Sequence, residues 1–284
     1  MCRLLGYATA GTNESLEDVL GEGVVREFMR LSLIHNDGWG AALVADSARR
    51  AGIDDGGALT SGNYTSIYKS TEPAYLDPAS SLLAQQGARG ALFHLRLASS
   101  NLPLIIENQQ PFSTDGIAFI HNGDISDADG RNIVHDPDLP VSREDILSTG
   151  GKSDSAIYFA VVLRHLSEGK TLPEAVAAAI ADLRKKYPRS SYNCMVQNDN
   201  MLVVANAAGR RETSPRIVEV YRRFGLEDRA AGYRVLRYRD IRQGGVVVAS
   251  SGFPQDERDG WRELPNNHIL VASNRTGEYE VYEL

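Results

Sequence analysis

Apolar positions along the chain recur in two periods, and the switch between the periods predicts the order of the elements. Alternating or short continuous apolar runs predict strands, and apolar residues three or four positions apart predict helices. The predicted strands cover residues 2–9, 39–45, 90–98, 116–124, 191–197, 201–206, 232–240, 245–250, 269–273 and 279–283. The predicted helices cover about 24–34, a short helix that opens at 77–78, 153–169, and 171–186. This order predicts sheets packed face to face, with helices outside.

Two polar stretches interrupt this pattern. Residues 46–62 are rich in Gly and Asp and are predicted to form a surface loop. Residues 126–151 are rich in Asp, Pro and Arg and are predicted to form a long loop that leaves the core. Because long loops in compact domains are often functional or mobile, the second stretch is a candidate to lie near a binding site.

Composition excludes several classes of protein. The 284 residues carry 30 Lys plus Arg against 37 Asp plus Glu, a formal charge of −7, so nucleic acid is not the expected partner. No apolar run approaches the roughly 20 residues that span a bilayer, and the first residues lack the pattern of a secretory signal. Two cysteines cannot form a disulfide framework. We therefore expect a globular, cytoplasmic protein that binds no membrane.

Cys2 is the first candidate for chemistry, because it becomes the first residue of the chain when Met1 is removed. Its thiol and a free α-amine then belong to one residue. An α-amine has a pKa of about 7.7–8.0 against about 10.4 for lysine, so it becomes a neutral base at far lower cost near pH 7. A nucleophile and its general base on one residue follow the logic of N-terminal threonine. The alternative is a buried, inert cysteine on the first strand.

Arg96 is the second candidate. It stands at the exit of an apolar strand, on the same side as His94, and Ser99 follows it closely. A buried arginine needs an anionic partner, because burial of the isolated charge is costly. A substrate carboxylate suits the planar guanidinium, and Ser99 offers a hydroxyl group. The alternative is a structural ion pair between Arg96 and an aspartate.

Three further segments have a functional and a structural interpretation. The Asn122 side-chain amide and the Gly123 N–H suit an oxyanion hole, although Asn-Gly is also a common turn. Asp154 suits a cationic group such as an α-ammonium, although it also suits a helix start capped by Ser153. Trp39, between two glycines, suits either a pocket wall or the core.

The remaining metal-ligating and nucleophilic side chains show no pattern typical of a site. The histidines at 135, 165 and 268 lack the spacing of zinc ligands, and Cys194 lies in an apolar strand typical of inert packing. We therefore expect neither a metal nor a cofactor.

Six segments follow one another in a suggestive order: MCRLLG at 1–6, HNDGWG at 35–40, HLR at 94–96, Asn108 with Pro111-Phe112, HNG at 121–123, and SDS at 153–155. In order and approximate spacing they resemble the glutaminase domain of class II glutamine amidotransferases, which are N-terminal nucleophile hydrolases. The resemblance covers about residues 2–165. It implies an α+β fold, a four-layer α/β/β/α sandwich, with residues 1–284 forming a single domain of this type.

The resemblance also implies a role for each candidate residue. The roles are nucleophile and base for Cys2, α-carboxylate binding for Arg96 and Ser99, α-ammonium binding for Asp154, and the oxyanion hole for Asn122 and Gly123. The implied reaction is attack of the thiolate on a γ-glutamyl carbonyl, formation of a thioester, and release of glutamate by water.

The chain departs from the pattern of that family in three ways. Gln110 stands where stand-alone relatives often carry His, residues 35–38 lack the arginine typical of fused members, and no second domain is evident. The chain thus resembles the stand-alone branch, and both glutamine and a γ-glutamyl conjugate stay open as substrate. An ammonia-accepting partner enzyme and a homo-oligomer also stay open. A non-catalytic glutamine or γ-glutamyl sensor, or a partner subunit, is the alternative, but a sensor needs no nucleophile.

Overall fold

Two antiparallel sheets pack face to face in the computed structural model, which describes residues 2–45, 65–98, 102–209 and 212–284. In spatial order, the first sheet consists of Arg262–Leu264 (β11), Leu236–Asp240 (β9), Gly245–Ser250 (β10), Arg3–Thr9 (β1), Gly90–Leu95 (β4), Trp39–Val44 (β2) and Thr65–Ser70 (β3). The second sheet consists of Tyr279–Glu283 (β13), His268–Ser273 (β12), Met201–Asn206 (β8), Asn193–Gln197 (β7), Ile117–Asn122 (β6) and Phe112–Thr114 (β5).

Helices cover the outer face of each sheet. Those that pack on the first sheet are Leu16–Leu20 (α1), Glu22–Arg30 (α2) and Ala79–Gln85 (α3). Those associated with the second sheet are Arg143–Ser148 (α4), Asp154–Ser167 (α5) and Leu172–Lys186 (α6). A further helix, Pro215–Arg223 (α7), packs on a small separate cluster. The molecule is therefore an α+β protein with the predicted four-layer α/β/β/α order.

The first strand, β1, shows why a central strand of this sandwich has a nearly continuous apolar sequence. Successive side chains of a strand point to opposite faces. Leu4 and Ala8 lie in the layer between the two sheets, whereas Leu5 and Tyr7 lie in the layer under the helices, and all four are fully buried. Both faces of β1 are thus covered, which leaves no polar face to produce an alternating pattern.

Most predicted elements are confirmed, and the differences have physical reasons. The strand predicted at 232–240 begins only at Leu236, because the residues before it form a turn. The stretch at 126–151 contains a 3-10 helix at Ile133–His135 and α4. The helix α7 was not predicted, since only Ile217 and Tyr221 are buried along it and its apolar signal is weak. The predicted loop at 46–62 lies outside the described residues.

Among the helices in the described ranges, none combines the length and the apolar character that crossing a bilayer requires.

Candidate active site

The end of the sandwich nearest the chain start brings together parts of both sheets and one helix. β1 and β4 are antiparallel neighbours, so Cys2, just before β1, and Arg96, just after β4, lie at the same end. Asn122 ends β6 in the second sheet, and Asp154 begins α5. The cleft among these segments is lined by Cys2, Arg96, Asn108, Gly123, Ser153 and Asp154, together with neighbouring residues.

The Cys2 side chain is buried but retains 8% exposure. Burial by itself raises the pKa of this thiol, yet the opposing effects, of which the electrostatic effect of His94 is the largest, lower it to about 6. At pH 7 the sulfur is therefore mostly thiolate, which is the nucleophilic form. The Cys2 N–H donates to Asn122 Oδ1 at 3.2 Å, which fixes the residue against the second sheet.

The oxyanion-hole candidates lie directly beside this cysteine. Because Asn122 Oδ1 accepts from Cys2 N–H, the other amide atom must be the donor Nδ2. Nδ2 is buried and has no hydrogen-bond partner among the described residues. At Gly123, a Cβ atom would collide with the Ser191 carbonyl oxygen and with the His121 ring, so only glycine fits. A buried donor without a partner is costly, and an anionic oxygen would satisfy it.

Arg96 is buried to 4% exposure and lacks a strong partner. Its Nη1 donates to the Asp37 carbonyl oxygen at 3.5 Å and its Nη2 to the Pro103 carbonyl oxygen at 3.4 Å, both long contacts. The Asp37 carboxylate accepts instead from Ala98 N–H at 2.7 Å. Within the described ranges no carboxylate pairs with Arg96, so the structural ion pair considered as an alternative is not found there.

Asp154, like Arg96, is a buried charged side chain without an oppositely charged partner among the described residues. Its Oδ2 accepts from Ile125 N–H at 3.0 Å and from Asn132 Nδ2 at 3.2 Å, and its Oδ1 accepts from Ser155 N–H at 2.9 Å. These donors are all neutral, and no cationic side chain pairs with Asp154 in the part of the chain that the structure describes. A buried carboxylate and a buried guanidinium thus line one cleft without neutralising each other by contact.

A buried histidine holds the two walls of the cleft together. His121 Nε2 donates to the Ser191 carbonyl oxygen at 2.8 Å, since a carbonyl can only accept. Nδ1 then accepts from the Ser155 hydroxyl at 2.9 Å. Burial lowers the pKa of His121, which keeps the ring neutral and this arrangement intact. The end of β6 is therefore joined to the start of α5.

Arg3, next to the nucleophile candidate, holds the main chain of Cys2. Its guanidinium is fully buried and donates to the Cys2 carbonyl oxygen at 2.9 Å and to the Ser251 carbonyl oxygen at 2.6 Å. It also lies 3.7 Å from the centre of the Tyr233 ring, within cation–π distance. Removal of this side chain would leave three buried carbonyl groups, those of Cys2, Ser251 and Tyr233, with one donor fewer.

The cleft is small, with a volume of about 20 Å3. This is about the space that one water molecule requires, which is less than the volume of a γ-glutamyl group. A larger groove, about 640 Å3, lies elsewhere, among α1, α2 and α3. By size alone that groove would be the expected ligand site. Its lining contains no cysteine or histidine, so the small cleft, which contains the Cys2 thiol, is the better candidate for an active site.

Two predicted site residues in the described ranges do not line the cleft: Asn122, which lies beside it against Cys2, and Trp39. Trp39 is fully buried in the layer under the helices, where its Nε1 donates to Asp77 Oδ2 at 2.9 Å and its ring packs on Tyr68. Trp39 is therefore a core residue and forms no part of the cleft lining. Ser99 lies outside the described residues.

Sequence reasoning assigned no role in the site to four residues that the structure places at or beside it. His94 is fully buried near Cys2, Arg3 holds the Cys2 carbonyl, and Asn108 and Ser153 line the cleft. A signal was available, because all four belong to the six ordered segments and His94 also shares a strand face with Arg96.

Comparisons with known proteins are informative only at the level of structure. No family model matches the chain, and no curated protein matches it. A glutamine aminotransferase class-II domain protein from Silicibacter pomeroyi is similar over 99% of both chains, with a TM-score of 0.57 and 18% identity. Glutamine phosphoribosylpyrophosphate amidotransferase from B. subtilis gives a TM-score of 0.56 at 16% identity. A structure described as the allosteric regulatory enzyme of purine biosynthesis gives 0.58 at 15%.

The last two matches cover 99% of this chain but 49% of the other, so the chain spans about half the length of those enzymes. Identities this low show the fold alone. The two packed antiparallel sheets, the outer helices and these neighbours agree. The chain has the fold of the class II glutamine amidotransferase domain, which is an N-terminal nucleophile hydrolase fold.

Proposed function

We propose that this protein hydrolyses the γ-glutamyl amide bond of glutamine or of a γ-glutamyl conjugate, with Cys2 as the nucleophile and residues 1–284 acting as one domain. A single observation carries the proposal. Among the described residues, one cleft contains a thiol whose pKa is about 6, a guanidinium without a carboxylate partner and a carboxylate without a cationic partner, and the unpartnered Asn122 amide donor lies beside it. A γ-glutamyl group has a complementary atom for each of them.

The charges of the cleft suit the amino-acid end of that group. Arg96 binds the α-carboxylate, with Ser99 proposed to add a hydroxyl contact, and Asp154 binds the α-ammonium. Both side chains are at least nine-tenths buried. A zwitterionic ligand therefore satisfies a buried cation and a buried anion at once, which neutral or singly charged amides cannot do.

The reaction proceeds through an acyl-enzyme. The Cys2 sulfur attacks the γ-carbonyl carbon, and the new oxyanion accepts hydrogen bonds from Asn122 Nδ2 and Gly123 N–H. Removal of Met1 makes the residue 2 nitrogen an α-amine, which Asn122 Oδ1 orients. That amine takes the proton of the Cys2 thiol and delivers it to the leaving nitrogen, while the oxyanion collapses, the C–N bond breaks and the thioester remains. Water then cleaves the γ-glutamyl thioester and releases glutamate.

The leaving group is ammonia when glutamine is the substrate and an amine when a conjugate is the substrate. In the first case the ammonia serves a partner enzyme or is released, and in the second the amine is the useful product. Turnover of glutamine compared with turnover of γ-glutamyl amides distinguishes the two cases. The proposed site uses neither a cofactor nor a metal.

Intact mass after treatment with a glutamine-analogue diazoketone tests the proposal. We expect one covalent adduct on protein that lacks Met1, and none on Cys2→Ala or on protein that retains Met1. The matched control is Cys194→Ala, which retains the adduct because Cys194 lies in the apolar core. Correctly processed wild-type protein that binds glutamine but forms no adduct and releases no glutamate would be a sensor, and the hydrolase proposal would then be wrong.

A further inference from the structure

The proposed reaction requires a rigid first residue, although the ends of protein chains are usually mobile. Once Met1 is removed, a single peptide bond, the one to Arg3, joins Cys2 to the chain. β1 begins only at Arg3, so Cys2 lies just outside the strand. Terminal residues are poorly ordered unless other contacts hold them, and a displacement of about 1 Å can lower a rate roughly 10²-fold. The contacts that hold Cys2 therefore bear directly on the proposed chemistry.

Two hydrogen bonds hold the main chain of Cys2, one on each side of its Cα atom. Its N–H donates to Asn122 Oδ1 at 3.2 Å, and its carbonyl oxygen accepts from Arg3 Nε at 2.9 Å. The sulfur makes only a long contact, 4.0 Å, with the Leu97 carbonyl oxygen. Rotation about the Cα–C bond of Cys2 would move its nitrogen and its side chain together. That rotation is restrained because Arg3 fixes the carbonyl and Asn122 fixes the nitrogen.

Arg3 is a rigid support because all three of its guanidinium nitrogens donate to main-chain carbonyl groups. Besides the bond from Nε to Cys2, its Nη1 donates to the Ser251 carbonyl oxygen at 2.6 Å and its Nη2 donates to the Tyr233 carbonyl oxygen at 3.1 Å. One planar group thus joins three segments that are distant in sequence. A lysine ammonium cannot reproduce this fixed geometry, since its single nitrogen lies at the end of a flexible stem.

The positive charge of Arg3 has no structural ion pair to explain it. The side chain is fully buried, and its partners among the described residues are carbonyl groups and the Ser251 hydroxyl, none of which is a carboxylate. Burial of a guanidinium without a carboxylate is costly. An apolar side chain would avoid that cost, so stability alone is a poor explanation for an arginine here.

A buried aromatic cluster supports the guanidinium. The Arg3 guanidinium carbon lies 3.7 Å from the centre of the Tyr233 ring, and the His35 ring is stacked with Tyr233 at a centroid distance of 6.2 Å. His35 Nε2 is hydrogen-bonded to the Tyr221 hydroxyl at 2.9 Å. All four side chains are fully buried. Because Tyr221 lies on α7, this helix is connected to Cys2 through the aromatic cluster and Arg3.

We propose that Arg3 is a positioning residue for the hydrolysis, because it fixes the carbonyl of the first residue so that the Cys2 sulfur and α-amine keep the orientation that attack requires. This inference rests on the proposed function and adds a residue to it. Arg3 does not line the cleft, whereas Arg96 and Asp154 do. Loss of the Arg3 guanidinium should therefore lower kcat and leave substrate binding nearly unchanged.

Steady-state kinetics on Arg3→Lys and Arg3→Gln, with glutamine and γ-glutamyl p-nitroanilide as substrates, tests this inference. We expect kcat to fall roughly 10-fold in Arg3→Lys, which keeps the charge, and roughly 100-fold in Arg3→Gln, the range for a misplaced reacting group. KM should change less than about threefold. Intact mass must show that Met1 is removed from each variant, because a retained Met1 would also abolish turnover.

A second measurement separates orientation from ionisation of the thiol. On a Cys194→Ser background, iodoacetamide alkylates Cys2 without using the substrate site, and its pH midpoint follows the pKa of the thiol, about 6. This midpoint should stay near 6 in Arg3→Lys, because the variant changes the direction of the sulfur and not its protonation. A large upward shift of the midpoint would mean that Arg3 acts on the thiolate by charge, and the positioning role would then be wrong.

Arg89→Lys is the matched control, since Arg89 is also a buried arginine that donates to a main-chain carbonyl, that of Asp199, at 3.1 Å. It lies at the far end of β1 from Cys2, where its carbonyl accepts from Thr9 N–H. This variant should lower the thermal midpoint of unfolding and leave kcat within about twofold of the wild type.

The outcomes for the two proposals are distinguishable. If folded Arg3→Lys keeps the wild-type kcat, loses no more kcat than Arg89→Lys, or shows its loss mainly as a higher KM, this inference is wrong while the hydrolase proposal stands. A processed wild-type protein that hydrolyses neither γ-glutamyl p-nitroanilide nor glutamine overturns both.

Discussion

The two cysteines of this chain are both buried, and their surroundings give them opposite properties. Cys194 lies among apolar side chains of the second sheet and its helices, where burial raises the pKa of its thiol to about 12. Its Sγ lies 3.3 Å from the Tyr158 hydroxyl, within hydrogen-bond distance. Cys2 lies at the end of the first sheet, where burial acts in the same direction but the His94 charge and other effects lower the pKa to about 6.

This comparison separates burial from reactivity. Exclusion of water disfavours a thiolate, and only opposing charge or directed donors can reverse that effect. The cleft end of the sandwich supplies charge and an unpartnered donor, whereas the helix-covered core around Cys194 supplies neither in the described residues. Two pairs of variants and one single variant test whether this difference also governs function.

The largest expected effect comes from exchange of each sulfur for oxygen. Cys2→Ser should lower hydrolysis of glutamine or γ-glutamyl p-nitroanilide by more than about 10⁴-fold, because a hydroxyl is a far poorer nucleophile at neutral pH. Cys194→Ser should change turnover less than about twofold. Steady-state kinetics on both folded variants measures the difference. Equal losses in the two variants would mean that Cys2 has no special chemical role.

The second effect concerns His94. On a Cys194→Ser background Cys2 is the sole cysteine, so its alkylation by iodoacetamide can be followed by intact mass across pH. Because the Cys2 pKa is lowered to about 6, the thiolate persists above pH 6 and alkylation declines as the pH falls through 6. His94→Gln should move this midpoint upward, and each unit above pH 7 reduces the thiolate fraction at neutral pH about tenfold.

His165→Gln is the matched control for that measurement. His165 is also buried, but its ring bonds to Glu168 and Asp182 in the helical layer, on α5 and α6. The midpoint of Cys2 alkylation should stay near 6 in this variant. A midpoint that also stays near 6 in His94→Gln would show that the His94 charge does not control the thiol.

The smallest effect is expected at the second cysteine. Tyr158→Phe removes the hydroxyl beside Cys194 and should lower the free energy of unfolding by about 0.5–1.5 kcal/mol, which is typical of one buried hydrogen bond. Urea unfolding measures this loss, and turnover should stay at the wild-type level. A clear loss of turnover at unchanged stability would connect the Cys194 surroundings to the active site, contrary to the comparison.

Sequence reasoning predicted the layers and most of the site because both depend on local patterns. The spacing of apolar residues predicted the strands and helices. Arg96 and Asn122 were singled out because each stands at the end of a predicted strand. The structure brings Cys2, Gly123 and Asp154 to the same cleft. Their roles in catalysis stay predictions that the experiments above test.

The remaining differences concern side-chain direction, which the local pattern does not determine. Trp39 begins β2, and register with β3 and β4 turns its ring toward the helices. A serine before a helix has the same appearance whether or not its hydroxyl caps, so it was not foreseeable that the Ser153 side chain makes no capping hydrogen bond. The proximity of His94 to Cys2 requires the pairing of β4 with β1, a contact distant in sequence.

Because the cleft has a volume of only about 20 Å3, binding of a larger ligand depends on the fraction of molecules in which the cleft is wider. When only a fraction of molecules holds a wider conformer, the apparent dissociation constant exceeds the intrinsic one by the inverse of that fraction. Inhibitors shaped to the resting cavity and inhibitors shaped to the substrate therefore address different populations. Substitutions far from the chemistry that favour the wider conformer strengthen binding without a single added contact.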